Sequence, residues 1–174
     1  MLSKEQKKAQ TDAKRTKRTG LRYEKYQPRP ADLPVGGDCA VRSACRATGE
    51  SYEEVMKEMQ ERADKYNHGR HRSILKSGTP LPVIKSFYYA RGWSWRETKG
   101  ELVEEVKYGA NWKYYSKKRK NRLFKADNLP FSLCVAITTS HAVAVEDHIV
   151  YDSYDSRGDR SCVLEGYFIK KRRD

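Results

Sequence analysis

Cysteine is scarce in this 174-residue sequence. Its four cysteines, Cys39, Cys45, Cys134 and Cys162, lack the paired close spacing of a zinc site and are too few for a disulfide scaffold. Reduced thiols in a cytosolic compartment are expected. His68 and His71 have no nearby carboxylate or thiol to complete a ligand set, so no metal and no cofactor is expected. No apolar run approaches the roughly 20 residues that span a bilayer, which excludes a membrane-spanning reading. The Lys-rich N-terminus has no apolar segment behind it, so it does not read as a secretory signal. No internal repeat is present. Charge is what the chain has in abundance: 36 Lys and Arg against 23 Asp and Glu, a formal net charge of +13. The hydrophobic fraction of 37% beside 34% charged residues is polar for an enzyme, yet unlike a disordered chain. The length suits one domain with an extension. Such a surface attracts polyanions: nucleic acid, an acidic protein or an anionic membrane.

The positive charge falls in two stretches. Residues 1–30 carry ten Lys or Arg against Glu5, Asp12 and Glu24. Residues 1–27 read as a basic N-terminal arm, with 1–20 a mobile segment or frayed helix that either tethers a partner or only solubilises the chain. Residues 28–174 form the main domain, with a basic insertion at about 112–125. There Lys113, Lys117, Lys118, Arg119, Lys120 and Arg122 interleave with Trp112, Tyr114 and Tyr115, with no acid between 113 and 125. Cations and aromatics in this pattern can grip phosphates and stack bases. A lysine-rich soluble loop is the alternative.

Pro28, Pro30 and Pro34 predict an extended lead-in to Gly36-Gly37-Asp38-Cys39-Ala40-Val41-Arg42. Asp38 is a good N-cap residue, and Val41, Ala44, Cys45 and Thr48 share one helical face before Gly49. Cys39 then stands at the first position of a short buried helix. Unpaired N–H groups and the positive end of the helix dipole favour thiolate there. Ser51 and Glu54 form a capping box for a helix over 52–65. Residues 66–79 read as a polar surface loop, and Thr79 or Pro80 opens a third helix that stops at Gly92. Trp93-Ser94-Trp95 and then Phe131–Ile137, His141–Val145, Ile149–Asp152 and Val163–Ile169 read as strands. Helices first and an antiparallel sheet after them is an α+β layout.

A thiol nucleophile needs a base, and the base needs an orienting acceptor. A hairpin turn at Glu146-Asp147 pairs His141 with Asp152, in hydrogen-bond reach across adjacent strands. A turn at Asp147-His148 shifts that pairing by one, and Asp155 is then the second candidate orienter.

Gly37-Asp38-Cys39-Ala40-Val41-Arg42 with Thr48-Gly49, His141-Ala142-Val143-Ala144-Val145-Glu146-Asp147 and Val150-Tyr151-Asp152-Ser153 resemble the papain-like cysteine peptidase fold. The likeness is to its compact bacterial and phage members, over residues 35–169. The resemblance implies Cys39 as nucleophile, His141 as general base and Asp152 as orienter. A peptide, isopeptide or side-chain amide of a host protein is the expected substrate, and the basic surface selects an acidic target or tethers the enzyme to nucleic acid. It also implies an oxyanion-donating glutamine about six residues before the cysteine. That position is Leu33 here, and Gln27 is the nearest upstream glutamine. Losing one such donor costs about 10²–10³ in rate. The competing reading keeps the fold but not the chemistry: a basic protein that binds a host protein or nucleic-acid machine through residues 1–25 and 112–125.

Overall fold

The computed structural model describes residues 2–33, 36–98, 106–108, 111–113, 123–157 and 163–170. It is a mixed α and β structure. Five helices, α1 (Lys4–Thr19), α2 (Cys39–Thr48), α3 (Tyr52–Tyr66), α4 (Ile74–Ser77) and α5 (Leu81–Tyr89), accompany the strands β1 (Arg22–Lys25), β2 (Trp93–Glu97), β3 (Val106–Tyr108), β4 (Asn111–Lys113), β5 (Cys134–Thr138), β6 (His141–Glu146), β7 (Ile149–Asp152) and β8 (Leu164–Lys170). Six strands make one sheet in the order β1-β7-β6-β5-β8-β2, while β3 and β4 pair separately.

Helix α2 is the centre of the molecule. Its residues Ala40 to Cys45 are all buried, as befits a helix held between a sheet and other helices. Val41, Ala44 and Cys45 join Val55 and Met59 of α3, Phe87 of α5, and Val135, Ala142 and Ala144 of the sheet in the larger apolar core. A second core on the other side gathers Leu21, Phe124, Leu129, Val143, Val145, Val150 and Leu164. Both faces of β5 and β6 are therefore covered, which explains their unbroken apolar sequences. Helix α3 begins with the Ser51–Glu54 capping box, each side chain bonded to the other's backbone N–H.

Three expectations from sequence are corrected. First, the basic stretch foreseen as a mobile arm or frayed helix is a capped and docked helix. Ser3 and Gln6 form a capping box and Gly20, at φ 70°, closes the far end. The chain then runs into β1, which adds to the edge of the main sheet parallel to β7, so the sheet is mixed rather than antiparallel. The polar run Arg22–Lys25 carries no apolar alternation to announce a strand, because it is a mostly exposed edge. Second, Asp38 does not cap α2. Its φ of −93° and ψ of 15° are not the extended cap geometry, and its side chain makes no cap hydrogen bond. Third, the β6–β7 hairpin takes the second of the two turns weighed, Asp147-His148 and not Glu146-Asp147, with both residues at positive φ as a tight two-residue turn requires. The ladder pairs Ala144 with Tyr151, Val145 with Val150 and Glu146 with Ile149. Continued by one residue it sets Asp152 opposite Val143. The displacement from the expected pairing is thus two residues, which preserves parity: His141 and Asp152 stay on the same side of the ladder, as diagonal neighbours. The loop expected over 66–79 also contains the single turn α4.

Candidate active site

Three elements bring three side chains to one end of the sheet. Cys39 is the first residue of α2, His141 the first of β6, and Asp152 the last of β7. Because α2 packs directly on β6, the helix start and the strand start meet. His141 Nε2 lies 2.6 Å from Asp152 Oδ2. That leaves Nδ1 as the ring nitrogen for the Cys39 thiol, to which His141 is hydrogen-bonded. The Ala142 backbone also bonds to the sulfur.

The electrostatics follow from this geometry. Burial alone would push the Cys39 thiol up, but the hydrogen bond and charge of His141, the Ala142 backbone and the Arg42 guanidinium together hold it below its ordinary value. Burial alone would depress His141; its bonds to Asp152 and Cys39 outweigh that and lift it to about 9. Burial likewise opposes ionisation of Asp152, and the hydrogen bond and charge of His141, with the Ser153 N–H, overcome the penalty and lower it. Thiolate, imidazolium and carboxylate are mutually stabilising. The other described thiols differ: burial pushes both Cys45 and Cys134 up to about 12.

Behind the three lies a buried ionic chain. Asp38 is 0% exposed, Arg42 6% and Asp152 3%. Arg42 pairs through one guanidinium nitrogen with Asp38 and through the other, at 3.1 Å, with Asp152. Asp38 also accepts from the Tyr52 hydroxyl at 2.9 Å and faces Arg29 at 3.5 Å. Here is the physical reason that Asp38 abandons the helix cap. A buried guanidinium without a carboxylate is strongly unfavourable, and Asp38 is the i−4 neighbour of Arg42, on the same helical face. Its charge is answered inside the core, and the first N–H groups of α2 are left without a side-chain cap.

Cys39 and His141 open onto a cleft of about 420 Å³. Ile84 and Ile137 line it together with the Thr79-Pro80 segment. The Gly36-Gly37 turn forms its other support. Gly37 N–H donates to the Leu75 carbonyl at 2.6 Å. A Cβ at Gly36 would collide with that same carbonyl, and one at Gly37 would stand 2.8 Å from the Gly78 nitrogen. Glycine at both positions is a condition for the α4 turn to seat against the start of α2.

The remaining sequence candidates are not brought to this site. Gln27 is exposed and does not line the cleft. Asp155 is turned toward Arg15, at 2.7 Å, and Arg157, at 2.8 Å. Burial would raise it, but these two guanidinium groups hold it down at about 2. It is therefore a partner of α1 and not of His141: even with the hairpin turning at Asp147-His148, parity keeps Asp152 in reach. Lys113 lies in β4, whereas Lys117, Lys118, Arg119, Lys120, Arg122 and Cys162 lie outside the described residues. His71 pairs with Asp64 at 3.0 Å, and no group of three His, Cys, Asp or Glu suited to a metal occurs among the described residues.

Arg42 belongs to the candidate site although the motifs do not single it out. Its signal is the Asp38–Arg42 spacing of four across the start of a helix whose Val41, Ala44 and Cys45 face the core. Comparisons with protein-family models, curated proteins and solved structures return no match.

Proposed function

We propose that this chain is a papain-like cysteine hydrolase that cleaves an amide bond, whether peptide, isopeptide or side-chain amide, in a protein substrate. The observation that carries the reading is His141, bonded through Nε2 to Asp152 and through its other nitrogen to Cys39, at the mouth of a cleft. Nucleophile, base and orienter stand in the order that thiol catalysis requires.

In this reading the Cys39 thiolate attacks the substrate carbonyl carbon. The carbonyl oxygen becomes an oxyanion and is met by backbone N–H groups at the uncapped start of α2, which take the place of a glutamine donor. The His141 imidazolium gives its proton to the leaving nitrogen, the C–N bond breaks, and an acyl-thioester remains on Cys39. Neutral His141 then takes a proton from water. The resulting hydroxide attacks the thioester, the acid product leaves, and the thiolate–imidazolium pair is restored. Asp152 keeps the ring oriented and favours its charged form throughout. Asp38 does not oppose the thiolate, because Arg42, Arg29 and Tyr52 absorb its charge.

The test is alkylation of the unmodified chain by iodoacetamide across pH, mapped cysteine by cysteine with mass spectrometry. Cys39 is expected to react far ahead of Cys45 and Cys134 at neutral pH, with a midpoint below the ordinary thiol value near 8.5. His141→Ala is expected to abolish that advantage. Ordinary reactivity at Cys39, indifferent to His141, would overturn the reading.

A further inference from the structure

Helix α1 is exposed on every side along most of its length. Residues 4–14 are all exposed, and burial begins only in its last turn, at Thr19. A helix polar all round has no core to belong to, and its fold is explained only by its caps and by what it meets. Its charges are sorted. At 100° per residue, Asp12, Thr16 and Thr19 fall together, and this side faces the protein: Arg157 bonds both Asp12 and the Thr16 hydroxyl. Lys4, Lys7, Lys8 and Lys14 spread over the adjoining arc of about 120°, which also holds Arg15, ion-paired with Asp155. Among the described residues the four lysine side chains pair with no carboxylate.

We infer that this lysine band is a docking surface for the phosphate backbone of duplex nucleic acid. Three observations select that occupant. The lysines are carried on one rigid helix, as a band about 15 Å long from Lys4 to Lys14, and so can follow a run of phosphates. The helix carries no aromatic residue, so it offers phosphate contacts and no base stacking, which favours a duplex over a single strand. It also lacks the apolar stripe that an interfacial membrane helix buries, since Ala9 and Ala13 are its only apolar residues. Binding is sequence-independent and electrostatic. It does not depend on the chemistry of Cys39.

The experiment measures binding of the full chain to a fluorescein-labelled 20-base-pair DNA duplex by polarisation, from 50 to 200 mM salt. Four phosphate contacts give a slope of log K against log salt of about −3.6, which weakens binding about 10²-fold over that range. A variant carrying Lys4→Gln, Lys7→Gln, Lys8→Gln and Lys14→Gln is expected to lose a slope of about 3–4 and to bind more weakly. Its far-ultraviolet circular dichroism and its Cys39 alkylation rate should match those of the parent. The inference is overturned if the variant binds the duplex as the parent does. It is also overturned if the parent prefers a single-stranded oligonucleotide, polyglutamate or phosphatidylserine vesicles to the duplex.

Discussion

Two arginines in this molecule do the same thing in different surroundings. Arg42 and Arg157 are both buried, and each grips two aspartates that come from separate segments of the chain. Around Arg42 the carboxylates are buried as well, 0% exposed at Asp38 and 3% at Asp152. Around Arg157 they reach water, 58% exposed at Asp12 and 20% at Asp155. The first cluster is unscreened, so its geometry is over-determined and passes directly to His141. The second is screened, so it can hold α1 against the loop after Asp152 without fixing any atom of the candidate site. One residue type thus serves positioning in the core and docking at the rim, and solvent access separates the two.

The comparison predicts its largest effect at Arg42. Arg42→Met removes the cation that two buried carboxylates share, and breaking such a pair costs about 3–5 kcal/mol. Chemical denaturation should show a large fall in midpoint, with the equivalent change at Arg157 costing clearly less. Equal losses at the two arginines would show that burial of the carboxylates does not distinguish the clusters.

Asp152→Asn isolates the end of the core cluster that meets His141. Asparagine keeps the size and a hydrogen bond but removes the charge that favours imidazolium. The sign follows: without that charge the His141 proton leaves at lower pH. The alkaline limb of substrate turnover, which needs the imidazolium proton, should move down from about 9 toward the ordinary histidine value of 6.5. At neutral pH the rate of a thiol-reactive ester should fall by about 10²–10⁴, the usual contribution of a positioned acid–base group. An unmoved limb would mean that Asp152 serves only Arg42.

The motif residues were readable because local rules decide them. A cysteine behind Gly-Gly at a helix start, a histidine opening a strand and an aspartate closing the next are all set by turn and period signals, and strand parity protected the His141–Asp152 pairing from a misplaced turn. The Asp38 side chain was misread because two local rules compete there. Cap preference favours the helix terminus, and the i,i+4 ion pair favours the core; burial of Arg42, a tertiary fact, decides between them. β1 was invisible for a related reason. Its exposed edge position removes the apolar alternation by which strands are found, and only pairing with β7 defines it. The docking of α1 depends on Arg157 meeting Asp12 and Thr16 across more than a hundred residues, which no local pattern encodes.

The smallest effect belongs to the outermost partner in the rim cluster. Asp12→Asn removes one carboxylate that is mostly in water, and Arg157 keeps Asp155, the Thr16 hydroxyl at 2.7 Å and the Leu21 carbonyl at 2.9 Å. An exposed pair of this kind is worth about 0.2–1 kcal/mol. The expected signature is local. Amide hydrogen exchange should quicken in the last turns of α1, by up to about fivefold at low salt for a loss of that size. The difference from the parent should shrink as salt is raised, because added ions screen the pair that was removed. Cys39 reactivity should be unchanged, since nothing in this cluster touches His141. A change in the His141-dependent alkylation rate on Asp12→Asn would join the two clusters into one network and remove the distinction between positioning and docking.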